Sequence, residues 1–217
     1  MVWKYLLFDL DGTLTDSHEG IVNCIKYALE SLHKPIPAEG ELLKMVGPPL
    51  REGFCEVAGL NSPEAEKAIH IYRERFGTVG LFENRLYDGI EQVLAMLQER
   101  GFLLVLATSK PEEYSVRILE HFRIRKYFTE IVGSTMDGSR NKKSEIIQEA
   151  LVRLGISEEQ KKEVIMIGDR KYDMIGAKEC DIASLGVLYG FAPEHELEEH
   201  RADYIVEDVQ GLLSFFI

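Results

Sequence analysis

The sequence lacks any apolar run near the roughly 18 residues a membrane-spanning helix needs. Its apolar start, residues 1–8, is too short for a secretory signal and ends at Asp9 and Asp11. Cysteine is scarce: Cys24, Cys55 and Cys180 are far apart, odd in number and form no C-x-x-C. Reduced, mostly buried thiols in a cytoplasmic protein are the expectation. Positive charge is also short, with 25 Lys and Arg against 37 Asp and Glu, a net charge of −12. A general nucleic-acid binder carries a basic surface, so that class of partner is disfavoured, as is a membrane. The six histidines are scattered without a ligand spacing. There is no internal repeat and no low-complexity segment. What is present is an ordinary globular composition, 45% apolar over 217 residues. That length suits one large domain, or a core with a modest insert, and buries a sizeable core.

Short apolar runs at 2–8, 102–107, 130–133, 163–167, 183–189 and 204–206 read as strands. They are nearly continuous in apolar residues, as expected of a parallel sheet covered on both faces. Helical patterns alternate with them at 90–100, 112–122, 143–154, 173–179 and 209–216. Pro111 suits a first turn, and Gly155 suits a C-terminal cap. The alternation predicts an α/β fold, a doubly wound, Rossmann-like parallel sheet. Residues 16–80 break it, with helical periodicity at 21–32 and 63–76 and no convincing strand. The expected organisation is a core of 1–15 and 81–217, with a helical insert of 16–80 after the first strand.

Ligands of open α/β sheets sit beyond the carboxyl ends of the strands. Asp9, Asp11, Gly12 and Thr13 follow the first strand. Thr108, Ser109 and Lys110 follow the second; Gly168, Asp169 and, four residues on, Asp173 follow the fourth. Lys142 and Lys143 open the preceding helix. In a strand, Asp9 and Asp11 share one side, because side chains alternate with period two. Carboxylates this close repel unless a cation lies among them, and hard oxygen ligands favour magnesium. An acidic protein binds an anionic phosphate only where positive charge is concentrated by a metal, a lysine or backbone N–H groups. Magnesium, a carboxylate nucleophile and a second carboxyl two residues on form a coherent set for phosphoryl transfer.

The stretch Asp9-Leu10-Asp11-Gly12-Thr13-Leu14 resembles the first motif of the haloacid dehalogenase-like hydrolase superfamily. Thr108 in Ala-Thr-Ser-Lys, Lys143 in Lys-Lys-Ser-Glu-Ile-Ile, and Gly168-Asp169-Arg170-Lys171-Tyr172-Asp173 resemble the second, third and fourth. The wording is similar to the phosphoglycolate phosphatase branch, including 5′-nucleotidase-like members, and the insert resembles that family's small α-helical cap. The resemblance implies a magnesium-dependent phosphatase of small phosphorylated metabolites, monomeric or homodimeric, working through an aspartyl-phosphate. It implies Asp9 as nucleophile and Asp11 as general acid and base. Asp9, Asp11 (through its carbonyl) and Asp169 are the implied metal ligands, with Asp173 supporting the metal's waters or Lys143. Thr108 and Lys143 are the implied phosphate contacts, with Ser109 a further candidate.

Several residues have competing explanations. Asp173 also suits a helix N-terminus. Ser109 and Lys110 also fit a helix entry before Pro111, and Arg170 suits an ion pair. Lys142 rivals Lys143, although the following Ser-Glu-Ile-Ile aligns better with Lys143. Arg51, in Val46-Gly47-Pro48-Pro49-Leu50-Arg51-Glu52, is a candidate substrate contact or a surface arginine beside a hinge. The acidic run 194–199 reads as a solvated helix face. Two alternatives stay open: a sugar phosphomutase on the same scaffold, although Thr13 after Gly12 leans toward the hydrolases, and a non-catalytic phosphoacceptor module like a receiver domain.

Overall fold

The structure, a computed structural model, describes residues 3–217. Val2, in the first predicted strand, lies outside them. The chain divides into two compact units: residues up to Thr15 together with Leu86–Ile217, and Asp16–Arg85. It runs through β1 (Tyr5–Phe8), β2 (Thr15–Asp16), α1 (His18–Ser31), α2 (Glu39–Leu43), α3 (Leu50–Glu52), α4 (Ser62–Arg75) and β3 (Arg85–Leu86). It continues with α5 (Ile90–Glu99), β4 (Leu103–Pro111), α6 (Glu112–His121), β5 (Phe128–Ser134), α7 (Lys143–Arg153) and β6 (Val164–Gly168). The last elements are α8 (Lys171–Glu179), β7 (Ala183–Val187), α9 (Glu196–Glu199), β8 (Tyr204–Val206) and α10 (Val209–Phe216).

The larger unit is built on a six-stranded sheet in the order β5-β4-β1-β6-β7-β8, parallel throughout. This is the doubly wound α/β architecture that the strand–helix alternation predicts. One face carries Tyr5, Leu7, Val105, Ala107, Val164 and Met166 under Ile146, Ile147, Ala150 and Leu151 of α7 and Ala177 of α8. The other face, with Leu6, Phe8, Leu104, Leu106, Ile165 and Ile167, is also buried. Burial on both faces explains why these strands are apolar at nearly every position rather than at alternate ones. The first strand starts at Tyr5, where pairing with Leu103 and Val164 begins.

The run 194–199 is not wholly solvated. Glu196 is buried, and its carboxylate accepts from Arg170 Nε at 2.8 Å and from the Lys171 N–H at 3.0 Å. Burial pushes its pKa up, but the Arg170 guanidinium outweighs this and holds it below the usual carboxylate range. Glu196→Ala leaves a largely but not fully buried guanidinium, its side chain 12% exposed, without this partner. The expected result is a loss of about 3 kcal/mol, or roughly 6–12 °C in Tm. A calorimetric scan with Tm unchanged would show the pair to be dispensable.

The smaller unit is helical apart from its end strands, β2 and β3, which pair as a two-stranded sheet. Helix α1 buries Ile21, Val22, Cys24, Ile25, Ala28 and Leu29, and α4 buries Ala65, Ala68, Ile69 and Tyr72. Asn61 starts α4 with a reciprocal cap, its side chain accepting from the Glu64 N–H while the Glu64 carboxylate accepts from its own. Arg75 closes the unit with a two-pronged pair to Glu83 at 2.7 and 2.8 Å. Among the described residues, no helix is long and apolar enough to cross a membrane.

Candidate active site

Strands β1 and β6 are neighbours whose outgoing connections diverge, one leading toward β4 and the other to β7. Such a divergence opens a crevice beyond the strand ends, where open α/β sheets take their ligands. Asp9 follows β1, and its N–H donates to Ile167 O of β6 at 2.9 Å. Asp169 follows Gly168, the last residue of β6. Beyond Asp9 the chain folds back, the Leu14 and Thr15 N–H groups donating to Leu10 O at 2.9 and 3.0 Å. Gly12 takes the left-handed φ of +82°, and a Cβ there would lie 2.0 Å from Asp169 Oδ2. Only glycine meets both conditions.

Asp9, Asp169 and Asp173 each offer a carboxylate oxygen within 4.8 Å of the others. Asp173 lies in the first turn of α8, where its Oδ2 accepts from the Arg170 N–H at 3.1 Å. Its other oxygen faces Lys143, so the helix-start role and the site role coexist. Lys143, buried in the first turn of α7, places Nζ 3.0 Å from Asp9 Oδ1 and 2.7 Å from Asp173 Oδ1. It also donates to Ala107 O at 3.1 Å. Burial pushes the ammonium pKa down, but the charges of Asp173 and Asp9 outweigh it and hold the group above its ordinary value. Asp169 lies well above its ordinary value, through burial and then the charges of Asp173 and Asp9. Burial pushes Asp173 up to about 6 against the pull of Lys143.

Contacts beyond the carboxylate cluster hold Asp169. Phe191 N–H donates to Oδ2 at 2.7 Å, and Thr13 Oγ1 to Oδ1 at 3.4 Å. Tyr189 Oη donates to Thr13 O at 2.9 Å. Gly190 lies between them, where a Cβ would come within 2.3 Å of Asp169 Cβ and 2.4 Å of Gly12 O. No sequence signal marks this 189–191 segment, because its key contact is a backbone N–H that any residue but proline supplies.

Asp11 is placed by the turn after β1, which ends at Phe8, rather than by strand alternation. Its Oδ2 pairs with Lys110 Nζ at 2.9 Å. It is not among the three carboxylates that converge; Asp173 holds that place. Thr108 is buried inside β4, which runs on through Ser109 and Lys110 to Pro111 rather than ending before them; its Oγ1 accepts from the Lys110 N–H at 3.3 Å, whereas Ser109 is exposed. Arg51 lies in the other unit, paired with Glu66. Lys110 is the charged residue that the sequence left as a structural element. Its adjacency to Thr108 at a strand end was the available signal.

The donor set fits a divalent cation. Four carboxylates (Asp9, Asp11, Asp169, Asp173) face two ammonium groups (Lys110, Lys143), a formal excess of two negative charges. Oδ1 of Asp9 and Oδ1 of Asp173 meet Lys143 Nζ at 3.0 and 2.7 Å, and Oδ1 of Asp11 has no hydrogen-bond partner among the described residues. All-oxygen donors with spare lone pairs suit a hard cation such as magnesium.

Residues 6–187 match the family model for haloacid dehalogenase-like hydrolases. A 5′-nucleotidase of Pseudomonas aeruginosa is 41% identical over 207 residues, covering 95% of this chain and 92% of its own. Tyrosine-protein kinase PtkA of Mycobacterium tuberculosis is 40% identical over 203 residues, 93% of this chain but 65% of its own length. The crystal structure of a predicted phosphatase from Clostridium acetobutylicum superposes with a TM-score of 0.92 at 45% identity, covering 100% of this chain and 99% of that one. With that match running from β1 through β7, the chain belongs to the haloacid dehalogenase-like hydrolase family.

Proposed function

We propose that this chain is a magnesium-dependent phosphatase of small phosphomonoesters, acting through an aspartyl-phosphate on Asp9. The observation that carries this reading is the convergence of Asp9, Asp169 and Asp173 at the switch point of the sheet, with Lys143 paired to Asp9 and Asp173. A carboxylate oxygen of Asp9 attacks phosphorus, and the ester oxygen departs with a proton from Asp11. Water then attacks the acyl phosphate, gives its proton to Asp11 and frees Asp9. Lys143 offsets the charge on the phosphoryl oxygens, and Thr108 with adjacent backbone N–H groups orients them. Asp9, Asp169 and Asp173, with the Asp11 carbonyl, would hold magnesium, which when bound supplies positive charge against the substrate phosphate.

The helical unit acts in this reading as the cap that selects substrate, with Arg51 exchanging Glu66 for a substrate anion. The name of the Pseudomonas relative favours nucleoside monophosphates, and the sequence resemblance adds phosphoglycolate. The PtkA name supports a second reading, phosphoryl transfer to tyrosine. Label passing from ATP to a tyrosyl peptide would favour it.

A phosphate-release screen over metabolite monophosphates tests the proposal. Release with magnesium is expected, falling at least ~100-fold in chelator and returning with added metal. Turnover indifferent to chelator would remove the metal. Release that required a phosphorylated primer would favour the phosphomutase, and a long-lived aspartyl-phosphate without turnover the phosphoacceptor. No release from any ester would end the phosphatase reading.

A further inference from the structure

We propose that Lys110 is a positioning residue for Asp11, fixing one carboxylate oxygen so that the other is the atom that moves the proton. This rests on the phosphatase reading above, in which Asp11 is the acid and base. Lys110 is not a solvated lysine: its side chain is only 6% exposed, although lysine is almost never buried without a partner. Its Nζ lies 2.9 Å from Oδ2 of Asp11, whose side chain is 17% exposed. Its own backbone is tied down, because the Lys110 N–H donates to Thr108 Oγ1 at 3.3 Å. The ammonium group therefore springs from the same strand end that places the proposed phosphate-binding hydroxyl.

The two oxygens of Asp11 are unlike. Oδ2 is held in a charge-assisted contact, and Oδ1 is buried with no hydrogen-bond partner among the described residues. A buried carboxylate oxygen without a donor is costly to leave so, unless another group engages it during function. The geometry assigns that group: the leaving oxygen of the ester and then the attacking water. In the first half-reaction the Oδ1–H bond breaks as a proton passes to the ester oxygen, whose bond to phosphorus breaks. In the second, Oδ1 takes a proton from water as the water oxygen bonds to phosphorus and the Asp9–phosphorus bond breaks. Both half-reactions balance, and Lys110 neither gains nor loses a proton. Its work is orientation, since proton transfer requires hydrogen-bond reach and alignment.

The test compares kcat/KM for two esters, because this ratio reports events up to departure of the leaving group. A simple alkyl phosphate needs a proton on its leaving oxygen, whereas p-nitrophenyl phosphate releases a stable anion that does not. K110M is expected to lower kcat/KM for the alkyl ester about 100-fold and for the nitrophenyl ester less than about fivefold. K110R, which keeps a cationic donor in altered shape, is expected to recover about tenfold of the alkyl loss. K110Q, which keeps a neutral donor, is read in parallel, so that the comparison does not hang on one variant folding. Equal losses on the two esters, or no loss on either, would overturn the inference while leaving an active phosphatase. A wild-type protein inert on both esters would instead sink the phosphatase reading, and this inference with it.

Discussion

Asp9→Asn is expected to reduce phosphomonoester hydrolysis by at least ~10⁴-fold while the fold stays intact. Asparagine matches aspartate in shape, so β1 and the turn through Gly12 lose no packing. The amide oxygen is a poor nucleophile, and no acyl phosphate forms on it. The substitution also removes one negative charge from beside Asp169 and Asp173, both of which Asp9 pushes up in pKa. Thermal stability is therefore expected to hold or rise, and this separates loss of chemistry from loss of structure. Phosphate release and a melting curve on the same preparation provide the check. A variant retaining more than about 1% of wild-type turnover would move the nucleophile elsewhere.

Lys143→Met is expected to harm both activity and stability. Its side chain is 3% exposed, and its ammonium group lies between Asp9 and Asp173. Removing one member of a buried charged group leaves the others uncompensated, at a cost of about 3–5 kcal/mol. The carboxylates then repel one another more strongly, and a divalent cation gains in value. Magnesium is accordingly expected to raise the Tm of this variant by more degrees than it raises that of the wild type. Activity is expected to stay at least ~100-fold down even at saturating magnesium, because the ammonium charge that the phosphatase reading sets against the phosphoryl oxygens is gone. Wild-type stability in the variant without metal would show that the lysine does not balance the acids.

The architecture was legible because apolar periodicity and strand–helix alternation are local properties that burial imposes on sequence. Strand edges were less so: β4 runs to Pro111, past the predicted residue 107, because the parallel partner β5 pairs there through a register shift. The helix at 173–179 starts two residues earlier, at Lys171, because Asp173 satisfies the Arg170 N–H from within the first turn. Glu196 shows the limit of composition. Four glutamates and a histidine around Leu197 read as a wet surface, yet the helix turns one carboxylate inward onto Arg170, 26 residues away.

By itself the sequence determined which acids, lysines and hydroxyls end each strand or begin each helix, since motif order and strand position are written along one dimension. It also determined the alternation that winds the sheet and the helical character of residues 16–80. Only the tertiary structure decided which of those groups meet. Asp173 rather than the Asp11 carboxylate joins Asp9 and Asp169, because α8 returns its first turn to the switch point while the turn at Gly12 carries Asp11 toward Lys110. The Phe191 N–H and the close approach at Gly190 were likewise settled in three dimensions. Distances across a sheet depend on strand order and on backbone contacts, and neither is encoded by the identity of neighbouring residues.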